Sequence, residues 1–305
     1  MEEKKLFKVS SNPLVRTKRD TTSIMLDVII ALIPALAVGT YMFGIKVVLL
    51  LAVNVFACVF FEWGYRKLLK KPQSVGDLSA VVTGFLLTCV LPSEATWWMG
   101  VIGSFFAIVV VKQLYGGIGK NFLNPALAGR AFLTAGYAAV MTSWAVPTTL
   151  AGVVDGATMA TPLSYLKAGE ALPEYFDLTS LFLGGVPGSI GEISALALLA
   201  GAAYLLIRKV ITWRIPTAFI GTVAVLCLVF GKSGYGRVDW TLYNLLSGGL
   251  ILGAFFMATD YSTSPVTLRG QLLFGVGCGA LTVLIRYFGS YPEGVSYAIL
   301  IMNCC

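Results

Sequence analysis

The 305-residue chain contains no histidine, and that absence removes several chemistries at once. A histidine-ligated haem, a histidine-bound zinc and a Ser-His catalytic pair are excluded within this chain. Charge is scarce too: Asp, Glu, Lys and Arg make up 12% of residues, against 57% apolar residues and a mean hydropathy of +0.82. A soluble core has no use for so much apolar surface, so the composition is that of an integral membrane protein. Cysteine is limited to Cys58, Cys89, Cys227, Cys278, Cys304 and Cys305, with no C-x-x-C spacing among them. They read as small hydrophobes packed within spans, an iron site shared with another chain being the alternative. The net charge of +7 comes from basic residues beside apolar blocks, not from a basic patch interleaved with aromatics. The expected partner is therefore membrane lipid and not nucleic acid.

Apolar residues gather at 24–43, 45–64, 78–92, 96–112, 126–143, 192–208, 214–231, 242–258, 270–287 and 290–304. Most of these blocks approach the roughly 20 residues a helix needs to cross the hydrocarbon of a bilayer. The expectation is an all-α integral membrane protein of about ten transmembrane helices. With the N-terminus inside, seventeen Lys and Arg fall on the inner side and five on the outer, and basic residues accumulate on the cytoplasmic face. Both termini are then cytoplasmic, and the longest inter-span segment, residues 143–191, lies outside.

A faint internal echo suggests how the spans are organised. "NPALAGRAFL" (124–133) and "YPEGVSYAIL" (291–300) share a proline at the second position and a closing Ala-apolar-Leu at identical spacing. Five spans per half is an odd number, so the halves would be inverted repeats, a plan common among membrane carriers. The division expected is a tail at 1–23, a first membrane repeat at 24–143, an external loop at 144–191 and a second repeat at 192–305.

Three stretches interrupt the apolar pattern. In "YGGIGKNFLNPALAGRAFL" the glycines, including Gly117, match neither phosphate-loop spacing. With Asn121, Asn124 and Pro125 they predict a broken or re-entrant helix lining a polar cavity. "FMATDYSTSPVT" predicts a second break at Asp260, with ordinary capping as the plainer reading. Ionisable residues within spans, namely Asp27, Glu62, Arg130 and Glu293, suggest either an ion path or interfacial snorkelling. The third stretch, "VVDGATMATPL" (153–163), offers threonine hydroxyls among small residues with no activating base nearby. It predicts an exposed acceptor for an external modifying enzyme, with Asp155 placed to help hold a metal-bound donor, or else a plain turn.

Taken in order, "SSNPLVR", "GGIGKNFLNPALAGRAFL", "DGATMATPL", "FMATDYSTSP" and "YPEGVSYAILIMN" resemble a known membrane family. It contains the D component (RnfD) of the Rnf ion-translocating ferredoxin:NAD oxidoreductase complexes and the B component (NqrB) of the sodium-pumping NADH:quinone reductase. The resemblance implies FMN joined through its phosphate to a threonine in the pattern D-x-x-[ST]-[GST]-A-T, attached by a flavin transferase. Here the pattern falls on Asp155, Thr158, Met159, Ala160 and Thr161, making Thr161 the acceptor and Met159 a departure from the usual small residue. It further implies an electron-relay subunit of a bacterial or archaeal cell membrane, working with Rnf subunits A, B, C, E and G and coupled to Na+ or H+ movement. A second, non-covalent flavin (riboflavin) is implied within the membrane, for which Gly117, Asn121, Asn124, Arg130 and Asp260 are candidate contacts. Trp97, Trp98, Phe122 and Phe132 are candidate walls of that pocket. Relatives usually continue past "MNCC" with a short polar tail. A stand-alone carrier for a small neutral solute, and the quinone-reductase component itself, remain alternatives.

Overall fold

A computed structural model describes residues 20–150, 158–231 and 236–305, and the regular elements among them are all helical. In chain order the first are α1 (Thr21–Phe43), α2 (Lys46–Leu68), α3 (Ser79–Val90), α4 (Trp97–Phe105, continued by a π-helix at Phe106–Gln113) and α5 (Pro125–Gly136). The short α6 (Ala138–Met141) falls within the predicted fifth span, and α7 (Pro162–Ala168) and α8 (Leu178–Leu183) occupy the predicted outer segment. Then come α9 (Ala195–Ile207), α10 (Arg214–Val229), α11 (Arg237–Leu246), α12 (Leu250–Leu252, continued by a π-helix at Gly253–Met257), α13 (Leu268–Phe288) and α14 (Val295–Asn303).

Three of the described helices, α1, α2 and α13, are long and apolar enough to cross a membrane, at 23, 23 and 21 residues. At about 1.5 Å per residue each exceeds the ~30 Å of hydrocarbon. Together, α11 and Leu250–Met257 make a fourth candidate, bent by 63° at the break. The sequence pattern treats 242–258 as one uninterrupted span and misses this bend. Gly248 takes φ 70° there, a left-handed conformation that glycine adopts without steric cost. Helices α3 and α5 have 12 residues each and reach only about 18 Å, so a count of apolar blocks is not a count of complete crossings.

A helix that stops inside a membrane must have its terminal carbonyls satisfied by protein. At the end of α3 the chain segment before α9 does this. Ile190 N donates to Leu91 O at 3.0 Å and Gly191 N to Cys89 O at 2.8 Å. A side chain at Gly191 would collide with Cys89, so glycine is required for this approach. The break after α4 is glycine-dependent in the predicted way, with Gly116, Gly117 and Gly119 all at positive φ. Helices α1 and α9 pack closely, and a Cβ at Gly201 would meet the Ala31 carbonyl. The same contact is tied by Asp27, which accepts from Tyr204 Oη at 2.9 Å and pairs with Arg208 at 3.3 Å. A continuous apolar core drawn from α1, α3, α5, α9, α10 and α13 fills the centre.

Candidate functional site

Two large cavities lie toward opposite ends of α5. The first, about 430 Å3, is lined by Arg130 and Thr134 of α5, by Trp144, by Thr158, Met159, Ala160 and Ser164, and by Tyr291, Glu293, Ser296 and Tyr297. Its polar wall is built around Arg130. That guanidinium donates through Nη1 to Ser296 Oγ at 2.9 Å and through Nη2 to Glu293, and lies 3.6 Å from Glu192. The rings of Tyr291 and Tyr297 stack at 6.0 Å. The stretch Thr158–Thr161 forms one edge: Met159 N donates to Trp144 O at 2.9 Å, and Thr158 makes the isolated bridge to Ala145. Thr158 and Ala160 are exposed. Thr161, expected to be exposed, is 5% exposed, because its hydroxyl caps α7. Its Oγ1 accepts from Ser164 N at 3.3 Å and lies 2.9 Å from Ser164 Oγ. Pro162 follows at the first helical position, where its missing N–H costs nothing. Thr161 thus sits just behind Ser164, which faces the cavity.

The second cavity, about 320 Å3, gathers helix breaks from both parts of the chain: Asn121, Asn124, Lys112, Ser79 and Thr21 with Phe255, Phe256, Thr259 and Asp260. Both π-helical segments border it, the first through Lys112 and the second through Phe255 and Phe256. Such bulges recur where a helix must present groups to a site. Asn124 caps α5 by accepting from Ala126 N at 3.1 Å and Leu127 N at 3.3 Å, and donates to Met257 O at 3.3 Å. One asparagine therefore joins the two breaks. Lys112 is buried and pairs with Glu62 at 2.6 Å while also donating to Ser79 Oγ.

With both cavities placed, the likeness to known proteins is decisive. The model of the "NQR2, RnfD, RnfE family" matches residues 8–305. The chain belongs to this family. Among its relatives, the D component of the Na(+)-translocating ferredoxin:NAD(+) oxidoreductase complex of Acetobacterium woodii is 53% identical, over 97% of this chain and 90% of its own length. The D component of the proton-translocating ferredoxin:NAD(+) oxidoreductase complex of Clostridium ljungdahlii is 42% identical, over 99% and 92%. The D component of the ion-translocating oxidoreductase complex of Stutzerimonas stutzeri is 39% identical, over 92% and 87%.

For this member of the family, the sequence-derived candidates divide between the two cavities. Thr158, Ala160 and Arg130 line the first and Thr161 lies beside it, whereas Asn121, Asn124 and Asp260 line the second. Gly117 lines neither of these; it shapes the turn after α4, donating to Lys112 O at 3.0 Å, and a Cβ there would meet Arg66. Asp155 lies outside the described residues. The four proposed aromatic walls are elsewhere. Trp98 packs on Tyr137, Phe132 stacks on Phe106 at 4.3 Å, Phe122 meets Tyr115, and Trp97 is 67% exposed. All four are exposed, and the outer surface of a membrane chain carries large apolar groups as readily as the core does. Sequence reasoning missed Trp144, Ser296, Tyr297 and Glu192. The signal for two of them was the echo itself, since Ser296 and Tyr297 lie on the second copy and meet Arg130 on the first.

Proposed function

We propose that this chain is the D-type membrane subunit of an ion-translocating ferredoxin:NAD oxidoreductase of the Rnf type, carrying FMN on Thr161 and relaying electrons. The observation that carries the reading is the larger cavity beside the acceptor stretch, whose volume of about 430 Å3 is that of an ordinary cofactor pocket. Its residues suit a flavin: a guanidinium for the electron-accepting pyrimidine edge, hydroxyls for its carbonyls and nitrogens, and aromatic rings for its faces. When bound, FMN supplies one- and two-electron chemistry. The chain's part is to bind, orient and shield. Arg130 is held by Glu293 and Ser296 so that its charge faces the cavity, while Trp144, Tyr291 and Tyr297 exclude water. Because Thr161 is buried as a helix cap, the segment around Thr158 to Thr161 must open for a flavin transferase to reach it. Among the described residues, the Thr158–Met159 end of that segment is tied by its bridge to Trp144 and Ala145, and Thr161 by its bonds with Ser164.

The same reading assigns the second cavity to a second, non-covalent flavin (riboflavin), contacted by Asn121, Asn124 and Asp260. It also assigns ten helices in two inverted repeats. In support, Pro125 and Pro292 hold the same place in the two copies of the echo, and α2 and α10 each begin at a basic residue, Lys46 and Arg214. Helix α1 packs on α9 and α5 on α14. Partners would be Rnf subunits A, B, C, E and G, with Na+ or H+ as the coupling ion. Relatives named for each ion fit either choice.

The covalent flavin is tested by denaturing electrophoresis of protein expressed with its flavin transferase. A fluorescent band under ultraviolet light at the chain's mass is expected. A non-fluorescent band, with transferase activity verified on another substrate, excludes the covalent assignment.

Sidedness follows from the charge asymmetry. The ends of α1, α3, α4 and α5 that border the second cavity belong to loops counted as inner, and the first cavity is bordered by loops counted as outer. Single cysteines at the exposed positions Ala171 and Gln73 test this in a background without native cysteines. With a membrane-impermeant thiol reagent on intact cells, Ala171→Cys is expected to react and Gln73→Cys only after permeabilisation. Identical behaviour of the two overturns the outward-facing flavin.

A further inference from the structure

Behind Arg130 lies a carboxylate that the flavin reading does not use. Glu192 is 6% exposed, with Oε1 packed against Gly249 and 3.6 Å from Arg130 Nη1. The neighbouring Ser189 hydroxyl is the side chain placed to hydrogen-bond this carboxylate, and Oε2 has no close bond among the described residues. Ser247 Oγ and Arg286 Nε are buried with no hydrogen-bond partner among the described residues. Polar atoms buried in this way are rare and each needs a reason.

The charges around Glu192 are unevenly shared. Arg130 on α5 gives its close contacts to Glu293, ahead of α14, and to Ser296. Arg286 on α13 also faces the group, but donates to the carbonyls of Asn244 and, at 3.2 Å, Ser247 at the end of α11. The Cys89 thiol approaches from α3. Two carboxylates therefore lean on one closely placed guanidinium, and Glu192 holds the looser share. A void of about 10 Å3, lined by Thr161, Glu192, Ser247 and Glu293, connects this group to the acceptor threonine. Arg130 and Glu293 form the wall between Glu192 and the larger cavity.

We propose that Glu192 is a proton-binding site whose occupancy follows the charge in the larger cavity, with Arg130 as the shared link. The proposal rests on the reading that this cavity holds a redox group. An electron placed in the cavity adds one negative charge, draws on the Arg130 guanidinium and weakens its pairing with Glu192. A proton then passes from a buffer acid to Glu192 Oε2. The acid's bond to hydrogen breaks, the Oε2–H bond forms, and the added charge is balanced. The added negative charge strengthens proton binding at Glu192 by Coulombic attraction across the Arg130 wall. The site thereby links electron arrival to proton uptake deep in the chain.

The test uses the assembled, flavin-loaded complex, with dithionite as the one-electron donor, and infrared spectra of the reduced minus the oxidised state. A protonated-carboxyl C=O band that shifts in deuterium oxide is expected on reduction, lost in Glu192→Gln and kept in the exposed control Glu94→Gln. The midpoint potential of the covalent flavin should also change less steeply with pH in Glu192→Gln than in the native chain. Retained in-gel fluorescence and an unchanged melting temperature certify that variant. If the native complex, fluorescent and reducible, shows no such band, or if Glu192→Gln keeps it with an unaltered pH slope, the proposal is overturned while the flavin reading stands. A native chain with no fluorescence overturns the flavin reading instead, and this proposal with it.

Discussion

Thr161→Ala is expected to abolish in-gel flavin fluorescence, and Thr158→Ala to retain it, when each is expressed with the flavin transferase. Thr161 has two roles, and the alanine variant removes both. Its hydroxyl is the proposed phosphoester oxygen, and in the unmodified chain it accepts from Ser164 N to cap α7. Loss of such a cap costs about 1 kcal/mol, so Thr161→Ala should also melt slightly earlier. Thr161→Asn separates the roles, because asparagine is among the best N-caps and has no hydroxyl to esterify. The expected outcome is native-like melting with no fluorescence. Peptide mass spectrometry that finds FMN on Thr158, or fluorescence persisting in Thr161→Asn, would sink the assignment. A loss of fluorescence only in Thr161→Ala, with Thr161→Asn still labelled, would mean that the cap and not the hydroxyl is what the transferase needs.

The sequence made many of the helical blocks, and the break after α4, legible for a physical reason. A chain surrounded by hydrocarbon must bond its backbone internally, so a run of glycines with Asn121, Asn124 and Pro125 can only be a break sheltered by protein. The stretch around Thr161 is singled out by resemblance to the family, through five motifs taken in order and not through its own spacing alone. What could not be read was which side chains meet. Arg130 and Glu293 are far apart along the chain, with a separation of 163, and their pairing depends on how α5 lies against α14. Thr161 was expected to be exposed because its neighbours are small, yet a following proline and a serine three residues on are also what a helix cap looks like. The bend between Leu246 and Leu250 was hidden because one glycine pair in an apolar run does not distinguish a continuous helix from a broken one. Exposed aromatics such as Trp97 misled because lipid, unlike water, imposes no cost on an apolar outer face.

Lys112→Met is expected to have the largest effect on stability, lowering it by about 3–5 kcal/mol, the usual result of stranding one partner of a buried ion pair. Lys112 is 3% exposed and Glu62 fully buried, with 2.6 Å between them. The serine network deepens the dependence, since Ser74 donates to Glu62, and Ser79 accepts from Lys112 while itself donating to Asp77. The double variant Lys112→Met/Glu62→Leu removes both charges, and replacement of a whole buried pair by apolar groups is often neutral. Thermal unfolding in detergent should therefore show the double variant melting well above Lys112→Met, despite carrying one more substitution. A single-variant cost below about 1 kcal/mol would place this pair among solvated ones, and the second cavity would then be open to water from the Ser74 side. The double variant also separates scaffold from site. If it melts near the native temperature yet loses a non-covalently bound flavin, Lys112 contributes to the cavity directly, and if it keeps that flavin, the pair serves only to hold α2, α3 and the π-helical end of α4 together.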